Sequence, residues 1–326
     1  MTDTKGRLEG RVAVVAGATR GAGRGIARAL GEAGAVVYCT GRSVAGNPSP
    51  YARAETIEET AELVSAAGGT GIAVRVDHTR EEEVRELFAR VERDRGRLDL
   101  LADSVAGESA VLGGMSPLWK TDLSHAPAAL EQALLSHVIT AKHAAALMVP
   151  RKRGLIVEVT EGDILFGGGN AVGVLVKSGL KMLALHLADE LHTHRVAAVA
   201  ITPGFLRSES MLERFGVTEA NWRDGGSKDE HFLHSESPLF VGRAVAALAA
   251  DPDVLARSGL VLSSWELARA YGFTDANGER PDWGRHFAES VVPRPAFAWV
   301  RATIERNATW FDTMADRTRA YLAAAE

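Results

Sequence analysis

The chain has one cysteine, Cys39, among its 326 residues. A disulfide framework and a paired-thiol metal site are thereby excluded. It has no basic run to follow a phosphate backbone. Its 37 Lys and Arg stand against 42 Asp and Glu, for a net charge of −5, which argues against nucleic acid as a partner. No apolar stretch reads as the ~20 residues that a membrane span needs, and the polar start MTDTKGRLEGR lacks the apolar core of a signal peptide. A soluble cytoplasmic protein acting on a small molecule is the expectation. Aromatics are scarce at 6%, and only four residues are tyrosine. Glycine is plentiful, with 33 residues gathered at turns and strand ends, and the 46% hydrophobic content suffices for one large core.

Short apolar runs alternate with longer helical patterns. Val12–Ala16, Val36–Thr40, Gly71–Val76, Leu98–Ala102, Leu155–Thr160, Val196–Thr202 and Leu260–Ser263 read as strands. Their apolarity on both faces suits a parallel sheet buried on both sides. Gly25–Ala33, Ile57–Ala67, Glu81–Arg95, Ala126–Met148, Lys177–His194 and Val241–Ala249 read as helices. The alternation predicts an α/β fold, a doubly wound parallel sheet of Rossmann type. The polar stretch Phe205–Pro238 is expected to form the substrate loop within a domain spanning residues 1–270. Residues 271–326 read as an extension, irregular and then helical, with Phe297, Val300, Ile304, Ala308, Phe311, Met314 and Tyr321 near one face. It either packs on its own domain or covers a site or subunit interface.

The first strand runs into Gly17-Ala18-Thr19-Arg20-Gly21-Ala22-Gly23, with a helix following. Glycines there let the backbone approach a pyrophosphate, and a helix N-terminus offers free N–H groups to it. The second strand ends Gly41-Arg42-Ser43, with no carboxylate to accept from a ribose 2′-hydroxyl. Arg42, with Arg20 in the loop, is suited to a 2′-phosphate, so NADP(H) is the expected cofactor. Asp77 ends the third strand and either accepts from the adenine amino group or caps the next helix.

With Lys177 and Pro203-Gly204, these features resemble the short-chain dehydrogenase/reductase family in order and spacing, over about residues 8–265. The tail and Gly216–Trp222 resemble a larger bacterial branch with extended C-termini. The resemblance implies that Pro203, Gly204 and Leu206 flank the nicotinamide and that Ser208 stands where a threonine often meets the cofactor. It also implies a homodimer or homotetramer formed through the two long helices.

The family works with Asn, Ser, Tyr and Lys. Only the lysine has a clean match, Lys177. The tyrosine position is Gly173, the serine position falls at Thr160-Glu161, and the asparagine position is His137. Glycine cannot donate a proton, so carbonyl reduction by the usual route is doubtful. Glu161, Asp163, His137 and Lys177 are the candidate substitutes, with Glu161 first, and Tyr51 or Tyr271 could fold over the site. Three readings stay open: hydride transfer with another acid, to an imine or conjugated alkene; non-redox isomerisation, cyclisation or elimination on the same scaffold; and a catalytically silent NADP-binding subunit. Trp119, Trp222, Trp265 and Trp283 are candidates for an aromatic lining, against plain packing. No metal site is expected from the histidines at 186, 192 and 194, because His192 and His194 do not share a helix face.

Overall fold

The computed structural model describes residues 6–47, 53–106, 117–164, 170–295 and 298–323. Seven parallel strands form one sheet in the order β3-β2-β1-β4-β5-β6-β7. They are β1 (Val12–Ala16), β2 (Val36–Gly41), β3 (Thr70–Arg75), β4 (Leu100–Asp103), β5 (Gly154–Val159), β6 (Val196–Thr202) and β7 (Val261–Ser263). Central strands β1, β4 and β6 are buried along their whole length, which is why they read as unbroken apolar runs. The chain reverses its winding between β1 and β4. A cleft opens at the carboxyl ends of the strands there, as the topology of such sheets requires.

Helices cover both faces: α1 (Gly21–Glu32), α2 (Ile57–Ala66) and α3 (Glu81–Arg95), then α4 (Ala126–Leu130) and α5 (Ser136–Met148). After β5 come α6 (Ala171–Leu191), α7 (Glu209–Phe215), α8 (Pro238–Ala250), α9 (Ser264–Tyr271), α10 (Trp283–His286) and α11 (Ala298–Ala323). Helix α1 lies against α8 through Gly25 and Gly242. A Cβ on Gly25 would stand 1.9 Å from the Pro238 carbonyl oxygen, so only glycine permits that approach. The start of α2 is fixed by reciprocal bonds between Thr56 and Glu59, an arrangement that typically contributes about 1 kcal/mol.

Several expectations change. The long helix read at 126–148 is broken by a π-turn at Glu131–Leu135, one turn before His137. Helix α6 begins at Ala171, capped by the Asn170 side chain, which accepts from the Gly173 N–H at 3.0 Å. The segment 205–238 is not a plain loop. It holds α7 and a cluster of Phe215, Trp222 and Phe232 packed with Phe205. The segments Ala126–Arg151 and Ala171–His194 are long and apolar enough to cross a bilayer, which corrects the reading that no stretch reaches that length. Both pack their buried residues against the sheet and its neighbours, as core helices do.

The extension closes over the domain. Phe273 joins the main core, and Trp283, Phe287 and Val291 line the cleft. In α11, Val300 is buried, whereas Trp310, Phe311, Met314 and Tyr321 are exposed. Phe297 and Tyr51 lie outside the described residues.

Candidate active site

The cleft is a cavity of about 1020 Å³. At one end, β1 turns into α1 through the glycine loop. Gly17 has φ +72°, and a Cβ there would come within 2.6 Å of the Ser104 carbonyl oxygen. A Cβ on Gly23 would lie 2.2 Å from the Gly17 oxygen. The loop therefore stays flat against the end of β4 and leads into the head of α1. There the Gly21 N–H donates to the Glu209 carboxylate at 2.8 Å. A carboxylate on the first turn of α1 marks the anion-favouring end of that helix. Gly17, Thr19, Arg20, Gly21 and Ala22 line the cleft with Arg42, Ser43 and Asp77.

Three guanidinium groups gather at this end. Arg20 faces Glu55 at 3.6 Å, Arg42 faces Asp77 at 3.9 Å, and Arg53 bridges Glu55 and Glu213 at 3.0 and 2.7 Å. Arg53 had no motif to signal it. It reaches the cleft from the segment before α2. Asp77 does not cap α3, whose first turn follows Arg80. It instead accepts from the Thr79 N–H and hydroxyl at 3.1 and 2.8 Å. Burial raises the Asp77 pKa, but these bonds and Arg42 outweigh it and hold the carboxyl below its ordinary value.

At the other end, α6 presents Lys177 and, one turn on, Lys181. The Lys177 amine lies 3.9 Å from Glu161, which is 76% exposed at the mouth. The Thr160 hydroxyl donates to the Lys177 backbone carbonyl at 2.9 Å, so its hydrogen is committed to the helix rather than to a substrate oxygen. Lys181 is nearly buried and donates to the Ile164 carbonyl at 2.8 Å. Burial, with some repulsion from Lys177, lowers its pKa to about 8 against the pull of Asp163 and Glu161. Asp163 is raised by desolvation and by Glu266. Lys181 was legible in the sequence only as a second lysine at i+4 on the same helix face.

His137 does not line the cleft. It is fully buried, with Nδ1 2.5 Å from Glu158 and Nε2 2.8 Å from the Val105 carbonyl. A carbonyl only accepts, so Nε2 carries a hydrogen, and a second proton is shared between Nδ1 and Glu158. Burial alone would lower the imidazole's pKa, but Asp103 and Glu158 push it up to about 9. Asp103, His137 and Glu158 are also close enough to suggest a metal. Both ring nitrogens, however, already serve hydrogen bonds pointing opposite ways, so the trio reads as an ion cluster that fixes the β4 turn at Val105.

Pro203, Gly204, Leu206 and Ser208 line the cleft between the two ends. The Gly204 N–H donates to Glu236 at 2.9 Å, and Trp283 packs on Gly204. Trp265 also lines the cleft, Trp222 is buried in the loop cluster, and Trp119 is 83% exposed. No tyrosine lines the cleft among the described residues. Tyr38 is in the core, Tyr271 donates to Asp251, and Tyr321 is exposed on α11.

Residues 11–216 match the family described as short chain dehydrogenase. The chain belongs to that family. Dehydrogenase/reductase SDR family member 1 of Mus musculus is 37% identical over 276 residues, covering 83% of this chain and 85% of that protein. The human counterpart is 36% identical over the same length. Among solved structures, a putative dehydrogenase from Xanthomonas campestris superposes with a TM-score of 0.68 at 23% identity, over 85% of this chain and 95% of that one. An NADPH-dependent reductase involved in bacilysin biosynthesis does so with 0.62 at 19% identity, over 78% and 96%. Both share the fold. Short chain dehydrogenases are oxidoreductases that use a nicotinamide cofactor, and the glycine cradle of this one fits the diphosphate of such a molecule.

Proposed function

We propose that the protein is an NADP(H)-dependent oxidoreductase of small molecules that works without the family's tyrosine. The observation that carries this reading is the pairing, in one cleft, of Arg20, Arg42 and Arg53 at the ribose end with Lys177 at the nicotinamide end. Bound there, the cofactor supplies or takes hydride. The glycine loop holds its diphosphate, Arg42 and Arg20 its 2′-phosphate, and Lys177 its nicotinamide ribose, while Gly204 and Leu206 fix the plane of the ring.

Gly173 puts no phenol beside Lys177, and Thr160 spends its hydroxyl on α6. A simple ketone would find little help at its oxygen, whereas an imine or a conjugated alkene needs less. Those are the substrate classes that suit this cleft. A second reading is favoured by Asp163, whose raised pKa suits a proton shuttle. On it, the chemistry is isomerisation, cyclisation or elimination, and product forms without NADPH being consumed. The exposed Val138, Leu175, Met182 and Leu185 on α5 and α6 suit a homo-oligomer built through those helices.

The test of cofactor choice is Arg42→Ala. A charge-assisted bond to phosphate contributes roughly 1.5–3 kcal/mol, so NADPH affinity should fall by about 10- to 100-fold while NADH affinity hardly moves. Equal affinity of the native protein for NADH and NADPH, by fluorescence titration, would refute the reading.

A further inference from the structure

Lys181 is a buried ammonium without a carboxylate beside it. It stands on α6 one turn after Lys177, and both line the cleft. A helical side chain leans toward the N-terminus of its helix, and the Lys181 amine comes forward beneath the loop that follows β5. There it donates to the Ile164 carbonyl at 2.8 Å, and a Cβ on Gly162 would lie 3.8 Å from it. That loop, with Thr160, Glu161 and Asp163, walls the same cleft. Lys177 faces Glu161 at 3.9 Å, whereas Lys181 forms no ion pair among the described residues.

An ammonium has three hydrogens. The Ile164 carbonyl takes one, and among the described residues nothing takes the other two. A charge held this deep is costly unless it is paired. The cost appears in its acidity: burial brings the pKa down to about 8, with Asp163 and Glu161 opposing and Lys177 adding to the fall. At neutral pH Lys181 therefore carries its proton but gives it up more readily than a surface lysine. The neighbouring groups are less suited to give one. Glu161 is exposed and faces Lys177, and the Thr160 hydroxyl is bonded to α6.

We propose that Lys181 is the proton donor of this cleft and that the substrate it serves is an imine, whose nitrogen it protonates ahead of hydride transfer. This rests on the oxidoreductase reading. An imine nitrogen has a basic lone pair, so it can take a proton from an ammonium before hydride arrives. A ketone oxygen is far too weak a base for that and needs a donor held on it throughout, which Gly173 cannot supply. One Nζ–H bond of Lys181 breaks, and the imine lone pair forms the new N–H bond, giving an iminium. The iminium carbon then takes hydride from the cofactor, and the π pair of the C=N bond becomes the lone pair of the product amine. Lys181, now neutral, regains a proton from water at the mouth beside Glu161. Trp283 and Phe287 line the cleft, and aromatic faces favour a cation such as the iminium.

Two measurements on the full chain test this. The first needs no cofactor. In carbon NMR of protein labelled at the lysine ε-carbons, one resonance should titrate near 8 and be absent from Lys181→Arg. A Lys181 resonance that titrates at the ordinary 10.5 would overturn the donor role. The second offers NADPH with trimethylindolenine, an imine that is uncharged in neutral water, or with its N-methyl indolium salt, which carries its charge already and needs no proton. Lys181→Met should lower kcat for the imine by about 100-fold, leave NADPH affinity unchanged and reduce the indolium as fast as the native protein. Lys181→Arg keeps a donor for Ile164 but holds its proton too tightly to give it, so it should fail on the imine alone as well. A lysine that only pins the loop would slow both substrates in the Met variant and be rescued by Arg, and that result would overturn the proposal. So would equal turnover of the imine by the native protein and both variants, or native turnover of cyclohexenone or phenanthrenequinone with none of the imine; each leaves the oxidoreductase reading standing. If the native protein binds NADPH but turns over none of the probes, that reading falls and takes the donor role with it.

Discussion

Replacing Glu236 by Gln should stabilise the protein increasingly as pH rises from 5 to 8. Glu236 is fully buried beneath Gly204, and one carboxyl oxygen accepts from the Gly204 N–H at 2.9 Å and from the Ser264 hydroxyl at 2.5 Å. Among the described residues, the other oxygen has no hydrogen-bond partner. Burial outweighs the two bonds that favour the anion and pushes the pKa from an ordinary 4.5 up to about 8. In the unfolded chain the carboxyl loses its proton near the ordinary value. Between the two values, the unfolded state has released a proton that the folded state keeps, so rising pH favours unfolding. The contribution of the neutral carboxyl is complete below the unfolded pKa and is lost as pH climbs to the folded one. Each pH unit in that window costs at most about 1.4 kcal/mol, and the whole window at most roughly 5 kcal/mol. Gln keeps an oxygen for Gly204 and Ser264 and has no proton to lose. Urea unfolding of both proteins across the window should give a stability difference that widens with pH, to about 1–3 kcal/mol at pH 8. A difference that stays flat or favours the native protein at pH 8 would refute the reasoning.

Lys177→Met should weaken NADPH binding whether or not turnover is measurable, because the ammonium's role as ribose anchor needs no tyrosine; unchanged affinity by calorimetry would sink that role. Gly173→Tyr should fill the space beside Lys177, slow the native reaction and raise ketone reduction from background, read as NADPH absorbance. Ketone reduction by the native protein as fast as by the Tyr variant would show that another group already protonates the oxygen.

The strands were legible because a parallel sheet buried on both faces leaves no room for polar residues, so β1 and β6 could be read to the residue. The glycine loop was legible because its conformation admits few other residues. Helix starts were less so. The α6 start was hidden by the Val and Gly residues of its first turns, and a cap at Asn170 gives only a local signal. Nothing in residue spacing announces the π-turn before His137, since it alters backbone pairing without altering composition. The ionisable groups of the site divide in the same way. Lys177 and Lys181 share a helix face and could be found by counting. Arg53 and His231 meet the cleft only through tertiary packing of the segment before α2 and of the substrate segment. A sequence shows Glu236 and Glu158 merely as isolated acids, and their altered acidity comes from burial and from neighbours distant in the chain.

The central claim is that this cleft moves hydride between NADP(H) and a small molecule with no phenol at Gly173. The most direct measurement uses NADPH deuterated on the transferring face of the nicotinamide, with the imine, enone and quinone probes, followed by mass spectrometry of the product. The account predicts one deuterium in the product for each NADPH consumed, with the imine or enone favoured over a simple ketone. Product that forms without deuterium and without loss of NADPH would contradict it and leave the cofactor as a fixture of a non-redox site.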